Sequence, residues 1–175
     1  MLKTHEAKLE VTDRDFLITR VFDAPRSLVF EAWVDPVQMA QWWGPRGFTN
    51  SACEMDVRPG GAYRIVMRSP EGVEYPLKGV FHAIVSPELI VKTDDLSEHP
   101  SEWKDLVIPD RPKGENDPVG EAVSTVTFDV LDTGTELTVH TRFRSARIRS
   151  AMVKLGMTEG WSQSLERLKE LLEKA

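Results

Sequence analysis

The C-terminal segment, residues 146–174, constrains the fold of this chain more than any other part of its sequence. Apolar side chains recur there at spacings of three and four residues, a pattern typical of one helix face packed on a core. They are Met157, Trp161, Leu165, Leu168 and Leu172. The pattern predicts one long helix over 146–174.

A second stripe of small residues runs beside this apolar face. It consists of Gly156, Gly160 and Ser164, each four residues after the last. Glycine inside a helix costs roughly 1 kcal/mol relative to alanine, so two glycines on one stripe require a reason. Either another backbone packs closely against the stripe or the stripe forms the wall of a cavity, and the sequence leaves both interpretations open.

The rest of the chain is dominated by strand patterns. A first strand at 16–22 precedes a helix at 26–34 and a short helix that begins at Pro36 and runs through Gln41. Turn sequences rich in proline and glycine then separate six further predicted strands. These strands lie at 48–57, 62–68, 75–85, 88–93, 121–131 and 135–143. Residues 94–118 are proline-rich with few apolar side chains, so a long loop is expected there.

Consecutive strands joined by short turns pair antiparallel, and the resulting sheet has an apolar face that must be covered. The C-terminal helix is the predicted element long enough to cover it. We therefore predict an α+β fold in which a curved antiparallel sheet of about six or seven strands surrounds the long C-terminal helix. Two short helices follow the first strand. Residues 1–13 are expected to form an N-terminal extension, and residues 14–175 a single domain.

Composition and charge exclude several classes of function. The net charge of −6 argues against binding to nucleic acid or to anionic membranes. Cys53 is the single cysteine, so we expect neither a disulfide framework nor a cysteine-rich metal site, and no cofactor is expected. No apolar run approaches a membrane span, and the N-terminus lacks the apolar core of a signal peptide. We expect a cytoplasmic protein without membrane insertion, either a monomer or a weak homodimer.

Several separate motifs resemble a known family. They are ITRVFDAP at 18–25, VFEAW at 29–33, WWGP at 42–45, DVRPGG at 56–61, YPLKG at 75–79, GMTEGW at 156–161 and SLERL at 164–168. With these motifs the chain resembles, over about residues 14–174, the family related to the activator of heat shock protein 90 ATPase. That family lies within the START-like helix-grip superfamily. The resemblance implies a helix-grip fold with an internal pocket, but the members range from lipid-transfer proteins to polyketide cyclases, toxin-resistance proteins and co-chaperone domains.

The pocket is expected between the sheet and the C-terminal helix. Its candidate lining residues are Trp42, Trp43, Phe48, Met55, Tyr63, Ile65, Met67, His82, Phe128, Val139, Trp161, Ser164 and Leu165. Trp103, on the proline-rich loop, is expected to act as a lid or gate. His82 has the strand parity of Val80 and Ile84, so we expect it to point inward, where it could act as an acid or base.

Three functions are compatible with these observations. The first is binding of a small hydrophobic molecule, such as an aromatic, lipid or polyketide-like compound, without catalysis. The second is an enzyme of the cyclase or hydrolase type that uses His82 or Tyr63 as acid or base. The third, a co-chaperone-like regulator of heat shock protein 90, ranks last because 175 residues leave little room for the activator's additional N-terminal domain.

Overall fold

The computed structural model describes residues 7–112, 114–115 and 117–174. The helices are α1 (Arg26–Val34), α2 (Pro36–Trp42), α3 (Ser101–Val107), α4 (Ala146–Lys154) and α5 (Met157–Glu173). The strands are β1 (Lys8–Thr12), β2 (Asp15–Phe22), β3 (Thr49–Met55), β4 (Ala62–Arg68), β5 (Glu74–Val85), β6 (Leu89–Asp95), β7 (Glu121–Leu131) and β8 (Gly134–Arg142). They form one curved sheet in the order β1-β2-β8-β7-β6-β5-β4-β3.

Every pairing in the sheet is antiparallel, and α1, α2 and α5 lie against it. The predicted helix-grip fold is confirmed. The sheet has eight strands rather than the predicted six or seven, because β1 pairs with β2 at the sheet edge. Residues 8–12, which were expected to belong to the N-terminal extension, form this strand although Lys8–Thr12 is short and largely polar. The division into an extension and one domain stays a prediction.

The prediction of one continuous C-terminal helix was wrong. The helix is interrupted at Leu155 and Gly156, and Gly156 has a φ of +100°, in the left-handed region that favours glycine. The Gly156 amide donates to the Val153 carbonyl at 3.1 Å, and the Leu155 amide donates to the Ala151 carbonyl at 3.0 Å. Gly156 therefore ends α4, as glycine commonly does just past the end of a helix, and redirects the chain into α5.

The centre of the fold is filled with large apolar side chains. Leu165 and Leu168 of α5, Phe128 of β7, Val139 of β8 and Trp33 of α1 are all buried. Trp33 and Phe128 pack edge to face with ring centroids 6.3 Å apart. The space between the central strands and the helices is thus a packed core, and a pocket has to lie elsewhere along the helix.

Candidate functional site

An apolar pocket of about 340 Å³ lies where the ends of β4 and β5 meet the chain after α2, α3 with the segment preceding it, and the α4–α5 junction. Its lining residues are Trp43, Gly44, Pro45, Phe48, Met67, Tyr75, His99, Trp103, Met152, Leu155, Gly156, Met157, Gly160, Trp161 and Ser164. None of them is a charged side chain. Most are aromatic or apolar, which is the usual chemistry of a small-molecule site.

Gly160 leaves part of this space open. A Cβ atom added there would meet only the Cγ atom of Pro45, at 3.6 Å, an ordinary van der Waals contact. No backbone packs closely against Gly160, so its position in the small-residue stripe is that of a cavity wall and not of a packing seam.

The segment between α2 and β3 is fixed to α5 by two side chains. The Ser164 hydroxyl donates to the Trp42 carbonyl at 3.0 Å and accepts from the Gly44 amide at 3.2 Å. The Arg167 guanidinium donates to the carbonyl oxygens of Gln41, Trp43, Gly44 and Pro45 at 2.8–3.2 Å. Burial, then repulsion from Arg46, lowers the Arg167 pKa. Ser164 thus lines the pocket, but its hydroxyl is hydrogen-bonded to the backbone of Trp42 and Gly44.

The two adjacent tryptophans after α2 have different environments. Trp42 is fully buried in the core, and its indole N–H donates to the Ala32 carbonyl at 2.9 Å. Trp43 lines the pocket and packs edge to face on Trp161, with centroids 5.3 Å apart. Trp161 in turn stacks on Trp33 at 6.1 Å. The pocket wall is therefore continuous with the aromatic core.

His99 is the most unusual polar group in the pocket wall. Its side chain is among aromatic rings, with the Trp103 ring at 4.3 Å and the Tyr75 ring at 5.5 Å between centroids. The residue is only 8% exposed, and neither ring nitrogen has a hydrogen-bond partner among the described residues. Burial, together with the charge of Lys104, lowers the His99 pKa from 6.5 to about 4. His99 is therefore neutral at pH 7, with one donor and one acceptor unused.

The structure brings six of the predicted lining residues into this pocket. They are Trp43, Phe48, Met67, Trp103, Trp161 and Ser164. Nine pocket residues were not among the predicted lining residues, namely Gly44, Pro45, Tyr75, His99, Met152, Leu155, Gly156, Met157 and Gly160, although Gly156 and Gly160 belong to the small-residue stripe. His99 lies in a polar stretch without periodicity. The one available signal was its spacing of four residues from Trp103.

The other predicted lining residues lie outside this pocket. Trp42, Ile65, Phe128, Val139 and Leu165 are core residues. Met55 and Tyr63 lie deeper along the sheet, next to a cavity of about 10 Å³ that has room for roughly one water molecule. Strand parity placed Ile65, Phe128 and Val139 on the inner face correctly, but Phe30 and Trp33 of α1 pack on Phe128 and fill the space in front of it.

The expectation that His82 points inward was wrong. His82 is exposed, whereas its neighbour Phe81 is buried. The β5–β6 register shifts between Phe81 and Ala83, so the strand has a bulge at His82. Because the bulge changes the parity, Ile84 packs on the core while Val80 and His82 face outward.

A buried polar cluster lies behind Trp43. The Lys92 ammonium is paired with the Asp94 carboxylate and lies 4.8 Å from the Tyr63 ring centroid. Asp94 also accepts from the Tyr63 hydroxyl at 2.5 Å and from the Ser124 hydroxyl at 2.5 Å. Burial, then the negative charge of Asp94, raises the Tyr63 pKa far above its usual range. The cluster is internally satisfied and does not line the apolar pocket.

Two further features have the wrong chemistry for a specific site. A larger cleft of about 610 Å³ at the other end of β4 is surrounded by charges of both signs, including Glu54, Arg64, Lys78 and Asp95. Burial raises the pKa of the Cys53 thiol to about 11, so this cysteine is not an activated nucleophile.

Within the described residues, no three His, Cys, Asp or Glu side chains converge to hold a metal ion.

Comparison with known proteins agrees with this architecture. Residues 23–173 match the family described as Activator of Hsp90 ATPase homolog 1-like protein. None of the curated proteins matches the chain significantly. Among the described residues, no helix is both long and apolar enough to cross a membrane.

Several solved structures have the same fold. A protein from Arthrobacter aurescens is 24% identical, with a TM-score of 0.77 over 96% of this chain and 92% of that chain. Protein Ms6760 from Mycobacterium smegmatis is 23% identical, with a TM-score of 0.76 over 95% of each chain. A protein from Rhodobacter sphaeroides is 19% identical, with a TM-score of 0.79 over 97% of this chain and 100% of that chain. At these identities the likeness shows the fold alone.

Proposed function

We propose that this chain, which belongs to the Activator of Hsp90 ATPase homolog 1-like family, binds a small, largely apolar molecule in its pocket. The family and the helix-grip fold fit a ligand-binding or a regulatory role. The observation that carries the proposal is the apolar pocket of about 340 Å³ itself, walled by Trp43, Trp161 and Trp103. A volume of this size suits a small organic ligand.

The local chemistry supports binding over catalysis. An enzyme of the cyclase or hydrolase type was expected to use His82 or Tyr63. His82 is exposed on the outer face, and the Tyr63 hydroxyl is bonded to Asp94 outside the pocket. Aromatic side chains supply large apolar contact areas, which favour a flat apolar ligand over an extended lipid.

The test is a titration with the neutral fluorescent probe N-phenyl-1-naphthylamine. The decisive variant is Gly160→Leu, whose side chain enters the pocket from α5. Its matched control is Glu159→Leu, which adds the same side chain to the same helix at an exposed position. We expect Gly160→Leu to weaken probe binding by about tenfold or more and Glu159→Leu to change it by less than about twofold.

Both variants are also melted thermally, because filling open space need not disturb folding. A marked fall in the melting temperature of Gly160→Leu with probe binding retained would overturn the proposal, since Gly160 would then be a packing position. Native mass spectrometry of the protein from its own host would reveal a co-purified small molecule directly.

A further inference from the structure

Resting on the proposed function, we infer that His99 selects the ligand, and that the ligand is a neutral aromatic molecule carrying a hydroxyl group. His99 is the imidazole in the pocket wall, and both of its nitrogens lack partners within the described part of the chain. Buried polar groups are otherwise almost always hydrogen-bonded, so an unused donor and acceptor at this position point to a partner supplied from outside the protein.

The lining restricts the charge of that partner. No lining residue carries a charged side chain. The charge of Lys104 acts on His99, and the Lys104 ammonium is bonded to the Ser97 carbonyl. A carboxylate or ammonium group on the ligand would be desolvated without a lining side chain of opposite charge to pair with, which is strongly unfavourable. A hydroxyl group remains neutral and can either donate to or accept from an imidazole.

The surroundings of His99 restrict the shape of the partner. The rings of Tyr75 and Trp103 are packed around the imidazole, and the Phe48 ring lies 6.2 Å from that of Tyr75. Flat aromatic molecules make favourable edge-to-face and offset contacts with such walls. The half-buried Trp103 ring covers His99, so a ligand reaches the imidazole by displacing this ring. Trp103 then acts as the gate to the polar end of the pocket.

The experiment compares 1-naphthol with naphthalene, which has the same ring system without the hydroxyl group. Dissociation constants are measured by equilibrium dialysis at pH 7.5. We expect the wild-type protein to bind 1-naphthol about tenfold more tightly than naphthalene. In His99→Phe, the affinity for 1-naphthol should fall to that for naphthalene. The dissociation constant for naphthalene should stay within about twofold of the wild-type value. His99→Leu serves as a second apolar variant if the phenylalanine overpacks the site.

Tyr75→Phe is the matched control, because Tyr75 is the other hydroxyl-bearing aromatic in the wall. If Tyr75→Phe removes the preference for 1-naphthol and the His99 variants keep it, the assignment to His99 is overturned. Equal wild-type affinity for the two probes also overturns it, while the pocket stays a binding site. Tighter binding of ionised 1-naphthoate than of 1-naphthol would refute the inference that the ligand is neutral. If neither neutral probe binds, the proposed function itself fails, and this inference fails with it.

Discussion

The imidazole of His99 and the indole of Trp103, four residues later in the chain, meet edge to face with ring centroids 4.3 Å apart. His99 precedes α3 and Trp103 lies within it, so the contact fixes the start of that helix against the pocket. It also keeps water away from both imidazole nitrogens. A buried donor and acceptor without partners cost about 1–3 kcal/mol each, and the contact therefore holds an unfavourable group in place.

The burial of His99 predicts a specific dependence of stability on pH. The folded pKa of about 4 lies below the unfolded value of 6.5, so the unfolded chain binds a proton that the folded chain does not. The contribution of neutral His99 to stability is therefore present above pH 6.5 and is lost as the pH falls toward 4. The free energy of unfolding should fall by about 2 kcal/mol between pH 7 and pH 5 from this group.

Urea unfolding at several pH values, with His99→Phe beside wild type, isolates that contribution, since the carboxylates titrate alike in both proteins. An identical pH dependence of the two proteins would show that His99 is solvated in solution.

Two glycines of the C-terminal segment should respond oppositely to alanine. Gly156→Ala places a side chain at a φ of +100°, where its Cβ atom would make an ordinary contact of 3.6 Å with Oε2 of Glu159 but the backbone is strained. The free energy of unfolding should fall by about 1–2 kcal/mol. Gly160→Ala, in the helix interior with an ordinary contact to Pro45, should raise it by roughly 0.5–1 kcal/mol. Urea unfolding measures both changes. A lower free energy of unfolding for Gly160→Ala would contradict the conclusion that the space at Gly160 is open.

The Lys92–Asp94 pair should be costly to break. The side chains are only 7% and 15% exposed, so Asp94→Ala leaves a buried ammonium without its carboxylate. We expect the free energy of unfolding to fall by about 3–5 kcal/mol. Asp110→Ala is the control, because its pair with Arg147 is exposed and should contribute little. Similar urea midpoints for the two variants would mean that the inner cluster is hydrated.

Arg167 should not be replaceable by lysine. The planar guanidinium reaches four carbonyl oxygens between Gln41 and Pro45, which a single ammonium cannot span. Arg167→Lys should lower the free energy of unfolding by about 1–3 kcal/mol and weaken probe binding, because the pocket rim loses its support. Lys169→Arg, a charge-conserving change at a half-buried position of the same helix, should leave both unchanged. Unaltered probe affinity in Arg167→Lys would show that the rim is held by other contacts.

Much of this fold could be predicted because every strand except β1 carries a recognisable sequence pattern. Alternating apolar residues set β4, β7 and β8 to within a residue of their observed bounds. The periodicity of 146–174 runs through Gly156 without a change, so the break appears only in the backbone conformation. The short strand β1 forms a hairpin with β2 through Asp13 and Arg14, and this turn has none of the glycine or proline residues by which the other turns were predicted.

The site could be predicted only in part, because its position depends on what fills the core. Phe30 of α1 packs on Phe128 at 5.2 Å and occupies space that strand parity alone leaves empty. The bulge at His82 reverses the parity on which its inward orientation was predicted. His99 is buried through contacts with Tyr75 and Trp103, and its own segment is polar.

The attachment of residues 41–45 to α5 has a consequence for exchange between pocket and solvent. Ser164 and Arg167 bind that rim to the helix through six hydrogen bonds, so the rim and helix form one stiff body. The opposite rim, at Trp103, rests on ring contacts. We therefore expect the pocket to open by movement of α3 and not of α5. The residence time of a bound ligand should then depend mainly on the mobility of α3.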